Sequence, residues 1–257
     1  MRKFLAVLLL TSFFQSSAFA GVVFTGTAGK IISLNTDDIL TENGACTISV
    51  WFYATGNGEN NECFLVARGG SAVAESIRLQ TAATRGLYFV FSGGTFLVHA
   101  DSASAYSDNT WNHAVVTWDG SVTAANAHIY LNGTELTYDT EQNGVSLSNN
   151  VGYTTTIGDR TGGGRSCAAT IQEVAAWGSV LTAPQLSQLF SSKLRGSPLM
   201  IGSPLFYLPL DECGDGVTCS GANQFRDLSG NARHGAASGS PVGAGNKILN
   251  YPSEALL

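Results

Sequence analysis

The chain of 257 residues carries 13 Lys and Arg against 19 Asp and Glu, which gives a formal net charge of −6. Nucleic acid and anionic membrane surfaces are therefore not expected as partners, because both favour cationic proteins. Charged residues make up only 12% of the chain and 30 residues are glycine, a composition typical of short strands joined by turns.

The N-terminus has the pattern of a signal peptide. Two basic residues precede an apolar run at residues 4–14, and Ala18-Phe19-Ala20 supplies the small residues of a cleavage site. We expect residues 1–20 to be removed by cleavage near Ala20, which leaves 11 basic and 19 acidic residues and a net charge of 11 − 19 = −8. The apolar run is too short to span a bilayer, so we expect a secreted, periplasmic or extracellular protein without membrane insertion.

Strand patterns follow along the chain. Residues 47–54 alternate two β-favouring rows of side chains, as in an interior strand. Residues 87–91 and 95–99 are separated by Ser-Gly-Gly, which predicts a hairpin, and residues 129–131 run into Asn132-Gly133, the strongest short hairpin signal. Asn132-Gly133-Thr134 also matches an N-glycosylation acceptor, but the turn is the simpler interpretation.

The convincing helix pattern begins at Thr182. Thr182 can cap the helix, Gln185 can complete a capping box, and Leu186 and Leu189 supply an apolar edge. We therefore expect one peripheral helix of about two turns.

Three blocks between residues 111 and 190 carry a family resemblance. They read Trp-Asn-His-Ala-Val-Val-Thr-Trp-Asp-Gly, Ala-His-Ile-Tyr-Leu-Asn-Gly-Thr-Glu and Ala-Thr-Ile-Gln-Glu-Val-Ala-Ala-Trp, and Leu-Thr-Ala-Pro-Gln-Leu follows them. With residues 22–34 and the strand from Cys46, this order resembles the laminin-G-like family of concanavalin A-like lectins and glucanases. The resemblance implies an all-β fold, an antiparallel two-sheet jelly-roll β-sandwich with one short peripheral helix. Gln172-Glu173 departs from the family's usual Asp-Glu pair.

The C-terminal segment resembles a block that opens many laminin-G-like domains, although here it comes last. The block reads Leu-Phe-Tyr-Leu-Pro-Leu-Asp-Glu from position 205 and Asp-Leu-Ser-Gly-Asn-Ala-Arg-His-Gly from position 227. Neighbouring termini allow such a permutation without loss of strand pairing. We expect residues 21–257 to form a single domain that residues 204–257 complete, with residues 206–210 beside residues 170–177 and the tail returning toward Val22. A separate appended hairpin is the alternative.

Five cysteines in an exported chain predict disulfides with one cysteine left over. Cys213 and Cys219 flank a flexible Gly-Asp-Gly-Val-Thr loop, and we expect them to pair. Cys63 follows a polar loop after the strand that ends near Ala54, and Cys167 precedes the strand that begins at Ala169. The family resemblance implies that these two strands are antiparallel neighbours, so that the two sulfurs meet. Cys46 is then a free thiol. Metal binding is the rival interpretation, but the chain has no Cys-x-x-Cys spacing.

The candidate ligand-binding residues lie in two loops. Arg160 and Arg165 flank three glycines, and guanidinium groups suit the carboxylate or sulfate groups of an acidic glycan. Asn57, Asn60 and Asn61, in a neighbouring loop if the predicted bridge forms, could donate amide hydrogen bonds to sugar hydroxyls. An ordinary rim loop with turn-forming residues is the alternative.

Aromatic and acidic residues give further candidates. Tyr106 and Tyr153 lie in loop-like stretches where a sugar ring could stack, whereas all four tryptophans are expected to be structural. Asp211 and Asp227 match the family block in which the resemblance implies calcium at the sheet rim. No contiguous Asp-x-Asp-x-Asp-Gly loop is present, and Asp227 is explained equally well as a turn former. We expect no other cofactor.

The sequence shows no catalytic constellation. Polysaccharide hydrolases need two carboxylates facing one groove, and the pair Asp139 and Glu141 has no supporting third acid. We therefore expect a non-catalytic module that binds a glycan or another extracellular or cell-surface adhesion ligand. The alternatives are a structural subunit that forms oligomers through its strands or Cys46, and a polysaccharide hydrolase with a relocated motif.

Overall fold

The computed structural model describes residues 21–34, 40, 44–69, 75–92, 96–101, 105–144, 152–192 and 197–245. The strands are β1 Val22–Thr25, β2 Ile31–Ser33, β3 Cys46–Ala54, β4 Cys63–Gly69, β5 Glu75–Thr81, β6 Leu87–Ser92, β7 Phe96–Asp101, β8 Trp111–Trp118, β9 Ala127–Leu131, β10 Thr134–Glu135, β11 Thr140–Gln142, β12 Thr154–Ile157, β13 Ala168–Trp177, β14 Phe206–Leu208, β15 Gly221–Phe225, β16 Gly235–Ser238 and β17 Val242–Gly243. The helix α1 is Ala183–Ser192. The predicted signal peptide and the chain beyond residue 245 lie outside the described residues.

The strands form two antiparallel sheets, as predicted for a jelly-roll β-sandwich. Sheet A has the order β10-β9-β8-β3-β13-β1-β17, with β14 also paired to β13. Sheet B has the order β11-β7-β6-β5-β4-β12-β2-β16-β15. The two sheets enclose one large apolar cluster, into which the strands of both sheets bury alternate side chains.

Strand β3 shows why the sequence pattern belongs to an interior strand. Ile48, Val50 and Phe52 are fully buried in the cluster between the sheets. The alternate residues Ser49 and Trp51 are also buried, because they face the opposite side of sheet A, which α1 covers. Both faces of the strand therefore exclude water, and both rows can be β-favouring.

The predicted hairpins are present. Strands β6 and β7 form an antiparallel pair that begins with Leu87 opposite Asp101. The turn at residues 93–95 that joins them in sequence lies outside the described residues. Strands β9 and β10 are joined by Asn132 and Gly133, whose φ angles of 52° and 83° are those of a type I′ turn. A Cβ at Gly133 would lie 2.8 Å from Cδ1 of Phe190, so the helix packs directly over this turn.

Helix α1 begins after Thr182, as predicted. The backbone N–H of Thr182 donates to Oε1 of Gln185 at 2.8 Å, which is one half of a capping box. Leu186 and Leu189 are buried against sheet A. The helix has ten residues rather than about two turns, because Phe190 in its last turn also packs on the sheet, stacked 6.1 Å from Trp51. Among the described residues, no helix has the length and apolar character needed to cross a membrane.

The C-terminal segment contributes strands to both sheets. Phe206–Leu208 pairs with β13 at residues 174–176, which confirms the predicted position beside this strand. Val22 pairs with Gly243, so the chain also returns toward β1 as predicted. Strands β15 and β16 extend sheet B beyond β2.

A bulge in β13 makes room for this added strand. The register between β13 and β3 shifts between Gln172 and Ala175, and Glu173 takes a φ of 52°. The N–H of Glu173 donates to the carbonyl of Pro209 at 3.1 Å, and the Tyr207 hydroxyl donates to the buried Glu173 carboxylate. The departure from the family's acidic pair is thus located at a structural junction.

Both predicted disulfides are present. Cys63 in β4 is bonded to Cys167, the residue before β13, so this bridge joins sheet B to sheet A. Cys213 is bonded to Cys219. Cys46 is free, as predicted, but it is only 3% exposed and burial raises the pKa of its thiol to about 12. A buried, protonated thiol is unreactive, so this conformation does not present Cys46 for a bridge between copies of the chain.

Candidate functional site

The Cys63–Cys167 bridge brings two loops together at one end of the sandwich. The loop before Cys63 and the loop that follows β12 share backbone hydrogen bonds, including Glu59 N–H to the carbonyl of Ser166 at 2.8 Å. The side chain of Asn60 donates to the carbonyl of Gly164 at 3.0 Å. The expectation that these loops are neighbours is therefore confirmed.

Asp159 organises the glycine-rich loop. Its carboxylate Oδ1 accepts the backbone N–H groups of Arg160 at 2.7 Å and Arg165 at 3.0 Å, and Oδ2 accepts the N–H of Gly29 at 3.4 Å. The residue is fully buried, and this burial raises the pKa of the Asp159 carboxyl while the three N–H groups oppose the rise. Asp159 thus ties the loop to the turn between β1 and β2.

The two arginines of the loop have different environments. Arg165 lies with Nε 2.6 Å from Oε2 of Glu62, and its Nη1 donates to the carbonyl of Gly164 at 2.6 Å. It therefore tethers the two loops to each other. Arg160 donates from Nε to the carbonyl of Gly163 at 2.7 Å, and its guanidinium lies close over Gly164.

A shallow groove of about 350 Å³ opens beside Arg160, at the end of sheet B where β12, β2 and β16 meet. Its lining includes Ala28, Gly29, Ile31, Arg160, Gly163 and Ser238. Ile31 and Ser238 are paired on neighbouring strands, and Gly29 immediately precedes β2. Arg160 is the one charged side chain among the described lining residues, and none of them carries a carboxylate.

Close backbone packing behind the groove requires glycine. A Cβ at Gly239, whose φ is 69°, would lie 1.9 Å from the carbonyl oxygen of Gly29. The turn after β16 and the turn before β2 can approach each other only because this position has no side chain. The wall formed by Gly29 and Ser238 is consequently fixed by backbone packing.

Comparison with known proteins places this fold in a family. A sequence model of the Laminin_G_3 family, described as the concanavalin A-like lectin/glucanases superfamily, matches residues 26–187. The chain belongs to this superfamily. A search of curated proteins finds no significant match to the chain.

Several solved structures resemble this chain at low sequence identity. A candidate carbohydrate-binding protein from Bacteroides ovatus is 16% identical, with a TM-score of 0.55 over 90% of this chain, and the chain spans 62% of that protein's length. A heptameric pentraxin from Limulus polyphemus is 16% identical, with a TM-score of 0.46, and the match covers 68% of this chain and 83% of the pentraxin chain. The carbohydrate-binding module of a Ruminococcus gnavus sialidase, bound to sialyllactose, is 14% identical, with a TM-score of 0.43 and coverages of 58% and 83%.

In this concanavalin A-like domain, the three asparagines predicted as sugar contacts are engaged within the two neighbouring loops themselves. Asn60 and Asn61 have φ angles of 53° and 61°, and the side-chain amide of Asn57 donates to Oδ1 of Asn61 at 3.3 Å. They lie beside the loop of Arg160 and Arg165, as expected, but not among the residues that line the groove. The alternative interpretation as turn formers describes these contacts.

The two predicted stacking tyrosines lie elsewhere. Tyr106 is only 4% exposed and packs edge-on against Phe52 in the core, with ring centroids 5.2 Å apart, so its interpretation as an exposed platform is wrong. Tyr153 is half-buried and precedes β12, at the opposite end of that strand from the groove. Trp111, which the sequence predicted to be structural, forms a half-buried aromatic pair with Tyr53 on sheet A, with ring centroids 5.7 Å apart.

Asp227, one of the two predicted calcium residues, lies in a hydrogen-bonded turn. Asp227 Oδ1 accepts the N–H groups of Tyr207 and Ser229 at 2.9 Å, and Oδ2 accepts the N–H of Arg233 at 2.9 Å. These contacts are those of the turn former that the sequence also suggested. No group of three or more His, Cys, Asp or Glu suited to a metal occurs among the described residues. Calcium at Asp211 and Asp227 stays a prediction.

One serine–histidine pair resembles part of a nucleophilic site, but it is closed to solvent. Ser49 Oγ and His113 Nε2 lie 2.8 Å apart on sheet A, and each residue is 1% exposed. Trp51 and Phe190 stack beside the imidazole, and burial lowers the pKa of His113 to about 3. The pair therefore lies buried beneath α1, where no substrate reaches it in this conformation.

Proposed function

We propose that the chain is an exported, non-catalytic module that binds carbohydrate in the groove between Gly29, Arg160 and Ser238. The groove carries this proposal because it combines an open, glycine-rich wall with a small number of polar groups on a lectin-class sandwich. Glycines let a ligand approach the backbone closely, so that main-chain N–H and C=O groups can bind sugar hydroxyls.

The groove is preorganised by contacts that do not involve a ligand. Asp159 holds the loop through the N–H groups of Arg160 and Arg165, and the Cys63–Cys167 bridge holds the neighbouring loop. A binding site fixed in advance loses less conformational entropy when the ligand enters. This rigidity supports recognition of a small rigid ligand such as a sugar ring.

The distribution of acids supports binding rather than hydrolysis. Glycoside hydrolysis requires a pair of carboxyl groups across the scissile bond. The described residues of the groove supply none, and the nearby Asp159 is buried with its oxygens occupied by three N–H groups. Asp139 and Glu141 are exposed on or beside β11, at the far edge of sheet B.

Export is supported by the disulfides. Two bridges in one small domain are typical of proteins that fold in an oxidising compartment. This agrees with the signal-peptide pattern of residues 1–20, and N-terminal sequencing of the protein collected from the culture medium or periplasm tests the expected cleavage near Ala20.

A glycan array probed with the mature protein tests the function. We expect binding to a limited set of glycans, and a parallel array with chelator shows whether calcium takes part. Failure of the folded protein to bind any glycan contradicts the proposal. Release of reducing sugars from a bound polysaccharide would contradict only the claim that the module is non-catalytic. Sizing of the protein tests the alternative of a self-assembling subunit.

A further inference from the structure

Helix α1 is held against the outer face of sheet A, the side opposite the core, largely by apolar packing. Leu186 and Leu189 are buried against this face, and Phe190 stacks 6.1 Å from Trp51. The helix Ala183–Ser192 contains no charged residue and is not part of the strand pairing of the sheet. Sheet A can therefore keep its strand ladders when the helix leaves, as in other cases of local opening.

His113 is enclosed in this contact between helix and sheet. Its ring is nearly parallel to those of Trp51 and Phe190, with centroids 4.6 Å and 6.2 Å away, and the residue is 1% exposed. Nε2 lies 2.8 Å from Ser49 Oγ, whereas Nδ1 is buried and has no hydrogen-bond partner among the described residues. Protonation would place an N–H donor on this enclosed nitrogen, and a buried donor without an acceptor is costly.

The surroundings of His113 offer no counter-charge to an imidazolium. The strands of sheet A contain no Lys or Arg and two acids, Glu135 and Glu173. Glu135 is hydrogen-bonded to His128, and Glu173 accepts the hydroxyl of Tyr207, so neither acid is bonded to His113. The other titratable side chains of these strands are Cys46, Tyr53, His128, Tyr130 and Tyr207.

We propose that protonation of His113 releases α1 from sheet A while the β-sandwich stays folded. In the released state both N–H groups of the imidazolium are hydrated, and the outer face of sheet A around Trp51 is exposed. The aromatic faces of Trp51 and Phe190 attract a cation and offset part of the cost in the docked state, but they do not accept the in-plane N–H of Nδ1. The groove at the end of sheet B takes no part in this change, so the inference does not depend on carbohydrate binding.

The pH dependence of the release has a definite sign and size. While α1 is docked, burial lowers the pKa of His113 from 6.5 to about 3. In the released state the imidazole is exposed and regains an ordinary pKa, so acid favours release. Because the released state binds the additional proton below pH 6.5, the equilibrium constant for release should rise about thirtyfold between pH 8 and pH 5.

Hydrogen–deuterium exchange of the intact protein, read out by mass spectrometry of its peptides, tests the proposal. Protection factors are corrected for the intrinsic pH dependence of amide exchange. Those of α1 should fall about thirtyfold between pH 8 and pH 5 in the wild type. The amides of β4, in the middle of sheet B, report on unfolding of the whole domain and should stay more protected than α1 at every pH.

Three variants assign the effect to His113. His113→Gln cannot be protonated, so the protection of its α1 should change by less than about threefold over the same range. His128→Gln removes a half-buried histidine on β9 and should behave like the wild type. Leu189→Ala weakens the packing of α1 without changing a titratable group, so its α1 should be less protected at both pH values with the same ratio of about thirty between them. This third variant keeps the proposal testable if His113→Gln does not fold.

The opposite results are equally specific. Equal protection of α1 and β4 at every pH would show that the helix leaves only when the whole domain unfolds, and it would overturn the proposal. An α1 whose protection is the same at pH 8 and pH 5 in the wild type would also overturn it. A fall in His113→Gln as large as that of the wild type would show that another group controls the release, with the same consequence.

Discussion

The buried imidazole of His113 makes a quantitative prediction about stability and pH. His113 lies on β8 beneath α1, 1% exposed, with Nε2 2.8 Å from Ser49 Oγ and its ring stacked 4.6 Å from Trp51. Burial lowers the pKa of this imidazole from 6.5 to about 3. The folded protein therefore keeps His113 neutral over a range in which the unfolded chain protonates it.

The sign follows from proton binding in the two states. Between pH 6.5 and about 3 the unfolded chain binds the additional proton, so the free energy of unfolding falls as the pH falls. Each pH unit below 6.5 costs about 1.4 kcal/mol, and the loss is about 2 kcal/mol between pH 8 and pH 5. The contribution of His113 is fully present above pH 6.5.

Urea unfolding followed by tryptophan fluorescence measures this loss. His113→Gln can keep a hydrogen bond to Ser49 but cannot be protonated, so its loss between pH 8 and pH 5 should be about 2 kcal/mol smaller than that of the wild type. His128→Gln, which removes a half-buried histidine on β9, is the matched control and should behave more like the wild type. Equal pH dependence of the wild type and His113→Gln would refute the assignment of this term to His113.

Three further outcomes follow from the same contacts. Replacing both Cys63 and Cys167 with serine should lower the free energy of unfolding by about 4.7 kcal/mol in urea, because the bridge closes a sequence separation of 104 residues, and an unchanged midpoint contradicts this. Asp159→Ala leaves the N–H groups of the glycine-rich loop without their acceptor, so glycan affinity measured by titration should fall roughly tenfold. Unchanged affinity would show that the conformation of this loop does not determine glycan binding. The Cys46 thiol should react with Ellman's reagent only after unfolding, and reaction in the native protein would show that the core opens.

Local patterns in the sequence predicted the elements whose causes are local. The cap at Thr182 and the turn at Asn132-Gly133 each depend on residues within a few positions, and both are present. The bridge between Cys63 and Cys167 came from the family resemblance, which supplied the strand pairing that local patterns do not contain. The length of α1 was underestimated, because the packing of Phe190 on Trp51 is a tertiary contact.

The groove could be predicted only in part, because its walls are distant in sequence. Arg160 was identified from its glycine-rich loop, but Gly29 and Ser238 join it through the pairing of β2 with β12 and β16. Asp159 stands next to Arg160 in the sequence, yet its role depends on burial, which a loop pattern does not reveal. Tyr106 failed as a candidate for the same reason, since its loop folds back onto Phe52.

Blocking the groove is the most direct test of the account. Ser238→Trp places a large side chain on an exposed strand position that lines the groove, and Val217→Trp adds the same side chain at a position that is 55% exposed and lies outside it. On the glycan array, the wild type and Val217→Trp should bind the same glycans, and Ser238→Trp should lose that binding while remaining folded. Undiminished binding by Ser238→Trp would contradict the claim that this groove is where the protein meets carbohydrate.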